Sequence, residues 1–158
     1  YAIGDLTESL FGSSYADLYV VASAVPEYPD LARAAQRYRA LHALMQQGRV
    51  ASCQRVGAGG LLAAALQSCF GNKLGLDLAL DGLAWPQLFS ETGCLLVASV
   101  RAADQAAFED ALAGHVQLLG RTTAGFGLRV NQSGQSVRVD LEPVFSVWLD
   151  GMRRFYDA

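Results

Sequence analysis

The chain has 158 residues, a length that can bury one core without help from disulfides or metals. Hydrophobic residues at 52% and charged residues at 17% exclude extensive disorder. Twelve Lys and Arg against fifteen Asp and Glu give a net charge of −3 with no basic cluster, which argues against nucleic acid as a partner, and the longest apolar run, Leu61 to Leu66, is too short to span a bilayer.

Residues 1–28 read as an irregular N-terminal segment with one helical stretch near Ser14 to Tyr19, and residues 29–158 as an α+β core, the whole forming a single domain. From Asp30 to Gln47, Leu31, Ala34, Ala35, Tyr38, Leu41, His42 and Met45 recur at helical spacing, with Arg33, Gln36, Arg37 and Gln46 opposite. Asp30 is the expected N-cap and Gly48 the left-handed stop. Arg49 to Arg55 reads as a strand, Gly57 to Gly60 as a turn, and Leu61 to Phe70 as a buried helix. Leu76 to Leu80 alternates as a half-buried strand, a loop holds Trp85-Pro86, and the apolar run Cys94 to Val100 suits a central strand. A helix over 102–113 follows, then strands at Val116 to Thr122, Gly127 to Asn131 and Ser136 to Leu141, the last two joined by a turn at Gln132-Ser133-Gly134. Pro143 opens a final helix to Tyr156. The expected fold class is α+β, with a single mixed sheet covered by helices.

Cys53, Cys69 and Cys94 fit neither a disulfide framework nor a zinc pattern, so they read as reduced thiols of a cytoplasmic protein. His42 and His115 have no acidic partner beside them in sequence. No catalytic residue and no metal site is identified. The opening at Tyr1, without leader features, reads as a segment excised from a longer chain.

The turn Val56-Gly57-Ala58-Gly59-Gly60-Leu61 lies between an expected strand and helix. Unpaired N–H groups at the start of a helix attract anions, so Gly57, Ala58, Gly59 and Gly60, with Arg55 nearby, form a candidate phosphate or anion site. The turn is neither a Walker A loop nor a GxGxxG fingerprint. It serves equally well as a tight turn that lets an apolar helix pack flat.

Read together, Gly12-Ser13-Ser14-Tyr15, the helix ending in Gln46-Gln47-Gly48-Arg49-Val50, the glycine turn, Leu88-Phe89-Ser90-Glu91 and Leu119-Gly120-Arg121-Thr122 resemble a known pattern. It is that of the C-terminal domain shared by aminoimidazole ribonucleotide synthetase and its relatives, phosphoribosylformylglycinamidine synthase above all. The resemblance covers roughly residues 4 to 150. It implies a domain of an ATP-dependent amidating ligase of purine biosynthesis, inactive in isolation, partnered in the parent chain by an N-terminal nucleotide-binding domain. ATP and Mg²⁺ would belong to the parent enzyme, with no cofactor in this fragment. It also implies that the glycine turn faces a cleft between domains and that Ser13, Ser14, Ser90 and Glu91 make interdomain contacts.

Family members commonly carry His-Asp before the turn and a Glu about two helical turns after it. Gln54, Arg55 and Gln67 stand there in this chain. The alternative expectation is therefore a non-catalytic architectural or regulatory domain of the same fold. Leu10, Phe11, Tyr15, Leu18, Tyr19 and Val20 are apolar without a clear period, which suggests an exposed patch and a homodimer of the isolated chain.

Overall fold

The computed structural model describes residues 1–21, 26–112 and 114–156, with 152–156 as backbone alone. In chain order the elements are β1 (Ala2–Ile3), α1 (Ser14–Tyr19), α2 (Leu31–Gln46), β2 (Ser52–Arg55), α3 (Gly60–Phe70), β3 (Gly75–Ala79), α4 (Trp85–Phe89) and β4 (Leu96–Ser99). A 3-10 turn (Ala102–Asp104) then leads into α5 (Gln105–Ala111), followed by β5 (Val116–Gln117), β6 (Gly120–Thr123), β7 (Gly127–Gln132), β8 (Gln135–Asp140) and α6 (Leu141–Tyr156). The class is α+β, as the patterning implies. Two compact units are present, one of Tyr1–Ser68 with Leu83–Leu118, the other of Cys69–Gly82 with Leu119–Ala158.

The first unit holds an antiparallel sheet in the order β2-β4-β1-β5. Its strand β1 corrects the expectation of an irregular N-terminus. Two residues are too few to show a period, yet Ala2 and Ile3 are both buried and pair on either side, with β4 and with β5. Ile3 then packs with Leu41 and Leu44 of α2, Ala98 of β4, and Phe108 and Leu112 at α5. The expected strand Cys94 to Val100 is shortened to Leu96–Ser99, because Cys94 sits in the left-handed region at φ 64° and cannot extend the ladder.

Helix α2 forms where expected but is rotated. Its buried positions are Ala34, Arg37, Leu41 and Leu44, while Leu31, Tyr38 and Met45, assigned to the core by spacing, are exposed. Arg37 was expected on the solvated face, yet only 3% of it is exposed. Asp5 explains this: its carboxylate meets the Arg37 guanidinium at 2.8 Å, so the charge enters the interior with a partner. The helix starts at Asp30, whose side chain accepts the Arg33 backbone N–H at 3.0 Å.

That N-cap bond, helped by Arg33 nearby, holds the Asp30 carboxyl below its ordinary pKa. A carboxylate whose pKa is lowered by folding stabilises the fold above its unfolded pKa, and the stabilisation is lost as pH falls through the folded value. Acid titration should therefore destabilise the natural chain below about pH 4 more steeply than an Asp30→Ala variant, which lacks this link. Parallel unfolding slopes for the two proteins at pH 2 to 5 would remove the claim.

The second unit has a sheet in the order β6-β3-β7-β8, with β3 and β7 parallel and the outer pairs antiparallel. Two sheets thus replace the single sheet expected. The strand read as Val116 to Thr122 is the reason: Val116–Gln117 pairs with β1, and Gly120–Thr123 pairs with β3. The break falls before Gly120, at φ 150°, where a Cβ would stand 2.0 Å from the Asp77 carbonyl oxygen. Only glycine allows β6 to lie that close to β3. The β7–β8 hairpin turns at Ser133 and Gly134, both with positive φ, which suits the right-handed twist of the strands. Helix α6 begins at the fully buried Leu141, two residues before Pro143. The helix expected over 102–113 begins instead as a 3-10 turn, and Ala113 lies outside the described residues.

Candidate functional site

The glycine turn is closed from within. The Gly60 N–H donates to the Gly57 carbonyl at 2.9 Å, and Gly59 and Gly60 take φ of 83° and 74°. A carboxylate already stands over the turn: Glu91 Oε1 accepts the Gly59 N–H at 2.8 Å and, at 2.7 Å, the Ser14 N–H at the start of α1. Backbone donors to an ionised carboxylate are among the stronger hydrogen bonds of a folded chain. One side chain therefore ties the Gly-Ser-Ser-Tyr segment, the glycine turn and the Leu-Phe-Ser-Glu segment into one latch. An external anion at the turn has to compete with Glu91 for the Gly59 donor.

The packing repeats this. A Cβ on Gly60 would lie 2.6 Å from both the Cα and the carbonyl carbon of Phe89. Glycine is thus needed because the end of α4 rests on the start of α3. Next to Glu91 in sequence, Ser90 and Thr92 join Thr7 in a triangle of hydroxyls with edges of 3.1, 2.6 and 2.7 Å. Ser13 is wholly buried and caps α1, accepting the Ala16 N–H at 3.2 Å while donating to the Leu10 carbonyl at 2.8 Å.

Gln54 on β2 and Gln67 on α3 meet directly, the Gln54 Nε2 donating to the Gln67 Oε1 at 2.7 Å. The two positions where the resemblance calls for a histidine and a glutamate thus form a neutral amide pair. Arg55 is exposed, and its guanidinium lies 3.4 Å from where a Cβ on Gly57 would be. Among the described residues, no group of three or more His, Cys, Asp or Glu is placed to hold a metal ion. This donor set does not fit Mg²⁺, which takes hard anionic oxygens: it consists of two amides and a cation, and the Glu91 oxygen is engaged by two N–H groups.

Of the residues named from sequence, Ser14, Gly59, Gly60 and Glu91 meet in the latch, and Ser13 and Ser90 are buried beside it. Ala58 is exposed, as is Arg55. Thr7 and Thr92 were missed, since nothing in their spacing connects them to Ser90. Cys53, Cys69 and Cys94 form no disulfide; burial pushes the Cys53 thiol up. The Tyr38 phenol, on a side chain that is exposed overall, is raised too, first by partial desolvation and then by its bond to Cys94.

The apolar N-terminal segment divides. Leu10 is buried, and the Tyr15 ring packs at a tilt against those of Tyr19, Trp85 and Phe89 at separations of 4.6, 5.3 and 4.6 Å. Phe11, Leu18, Tyr19 and Val20 remain exposed. Among the described residues, no helix is long and apolar enough to cross a membrane.

Residues 6–133 match the family model described as AIR synthase related protein, C-terminal domain. Phosphoribosylformylglycinamidine synthase subunit PurL of Lactobacillus helveticus is 30% identical over 153 residues, covering 96% of this chain and 21% of that protein. The PurL subunit of Limosilactobacillus fermentum is also 30% identical, over 96% of this chain and 20% of its own length. The chain therefore spans about a fifth of the curated relatives it matches. Among solved structures, Thermotoga maritima PurL complexed with FGAR superposes with a TM-score of 0.71 at 15% identity, over 91% of this chain and 27% of that one. Thermotoga maritima PurL complexed with ATP gives 0.65 at 17%, over 89% and 24%. At these identities the structures establish the fold, and the family model covers most of the sequence. The chain belongs to the family of AIR synthase related protein C-terminal domains.

Proposed function

We propose that this chain acts as the C-terminal domain of an ATP-dependent phosphoribosylformylglycinamidine synthase, and that within it the domain supplies framework and contact surface rather than reacting groups. The observation that carries this reading is the Gln54–Gln67 pair: a bonded pair of neutral amides neither donates and accepts protons near pH 7 nor holds a divalent cation. The relatives supply the ligase activity and purine context, and one solved relative binds ATP. In this reading ATP and Mg²⁺ are held by the N-terminal nucleotide-binding domain of the parent chain. The exposed Phe11, Leu18, Tyr19 and Val20 serve as a contact surface for another domain.

The test uses the longer protein that contains this chain. ADP release from ATP should require both formylglycinamide ribonucleotide and an ammonia source. Changing Gln54 or Gln67 to alanine should then leave turnover within about threefold, because no proton-transfer group is lost. A loss of about a hundredfold or more with unchanged folding would show that the amide pair takes part in the chemistry, and the framework reading would fail. Absence of ADP release with every combination of these substrates would overturn the ligase assignment itself.

A further inference from the structure

A line of charge crosses the sheet of the second unit. Arg121 on β6 stands opposite Asp77 on β3, Asp77 opposite Arg129 on β7, and Arg129 opposite Arg138 on β8. Directly paired positions point to the same face, so four strands bring three guanidinium groups and one carboxylate into one row. Asp77, half-buried, lies 3.6 Å from the Arg121 guanidinium and 3.4 Å from that of Arg129, and its other oxygen accepts the Asn131 side-chain N–H at 3.1 Å.

Asp77 accounts for Arg121 and Arg129 as a structural ladder, but it leaves two features over. Arg129 faces Arg138 directly, and like charges opposite each other in a sheet are destabilising. Arg138 has no ion-pair partner among the described residues, and the buried Nε of Arg129 has no hydrogen-bond acceptor. The row also lines a concavity of about 640 Å³, together with Phe126 and Asp140. That volume lies in the range of small-ligand sites. Three cations against Asp77 and Asp140 leave an excess of positive charge there, and Asp140 already accepts the Glu142 N–H at 3.0 Å.

We propose that the Arg121–Asp77–Arg129–Arg138 row binds the phosphoryl group of a small phosphate monoester. Planar guanidinium groups present paired N–H donors that match phosphate oxygens, and Asp77 holds two of the three in place. A dianion lying between Arg129 and Arg138 removes the repulsion that the bare sheet carries and meets the exposed, unpaired guanidinium of Arg138. The site shares no residue with the glycine turn and does not depend on the reading given above.

The experiment titrates the full 158-residue chain with inorganic phosphate, phenyl phosphate and succinate at constant ionic strength, following backbone amide shifts. Saturable shifts at residues 121, 129 and 138 are expected, with phenyl phosphate binding at least as tightly as inorganic phosphate and both more tightly than succinate. Arg138→Gln should weaken phosphate binding about tenfold, while Arg39→Gln on α2 leaves it unchanged. Because Arg138 is exposed, the variant should fold; in phosphate-free buffer it should be no less stable than the natural chain, and added phosphate should stabilise the natural chain more. Absence of saturation by about 20 mM, equal binding by Arg138→Gln, or a preference for succinate would overturn the site. Binding of inorganic phosphate with exclusion of phenyl phosphate would overturn the monoester assignment.

Discussion

Replacing Gly60 with alanine is expected to cost the first unit about 2 to 4 kcal/mol. Two penalties combine. At φ 74° an L-residue carries a left-handed penalty of about 1 kcal/mol, and the new methyl would lie 2.6 Å from the Phe89 backbone and 2.8 Å from the Leu88 carbonyl oxygen. Backbone atoms cannot rotate away as a side chain can, so the end of α4 has to move, and overpacking of that kind costs about 1 to 3 kcal/mol. Gly48 provides the control. It has nearly the same φ, 68°, but nothing lies within 4 Å of its Cβ position, so Gly48→Ala should show the backbone penalty alone, about 1 kcal/mol. Urea unfolding of the two variants side by side measures the difference. Equal losses would mean that α4 does not constrain the glycine turn.

The contrast between these two glycines also shows what a sequence discloses. Local signals were legible: Asp30 as the cap of α2, Gly48 as its stop, Ser133-Gly134 as the hairpin turn, and Ser14 to Tyr19 as a helix all follow from neighbours within a few residues. What depended on distant partners was not. Two residues of β1 carry no period, so their place between β4 and β5 is set only by chain segments more than ninety residues away. The rotation of α2 depends on Asp5, which makes a buried arginine tolerable; spacing alone favoured turning Tyr38 and Met45 inward. Gly120 read as an interior residue of one strand, because the close approach of Asp77 that breaks the strand is a tertiary contact.

The candidate site divides along the same line. Its motifs could be picked out, and their family could be recognised, but their function within the fold could not. Gly-Ser-Ser-Tyr, the glycine turn and Leu-Phe-Ser-Glu looked like pieces of a surface that meets ligands or another domain. In the folded chain Glu91 reaches 77 residues back to Ser14 and 32 residues back to Gly59, and its neighbours Ser90 and Thr92 bond to Thr7 through their hydroxyls. In this chain each motif depends on the others for its geometry.

Glu91 is therefore the residue whose loss should be felt across all three motifs. Glu91→Ala removes the acceptor of two backbone N–H groups and leaves both without a partner in a partly enclosed site. Hydrogen bonds to a charged group contribute about 1.5 to 3 kcal/mol each, and partial exposure reduces the sum, so a loss of about 2 to 4 kcal/mol is expected. Glu91→Gln keeps a carbonyl oxygen at the same reach. It should recover roughly half of that loss, because the acceptor remains while the charge does not. Chemical denaturation gives the ordering directly, and slower amide exchange at Ser14 and Gly59 in the glutamine variant than in the alanine variant would locate the rescue at the latch. Combining Glu91→Ala with Gly60→Ala should cost less than the two losses added, since either change alone already loosens the joint between α3 and α4. Strict additivity, or a glutamine variant no better than alanine, would mean that Glu91 and the glycine turn do not act as one unit.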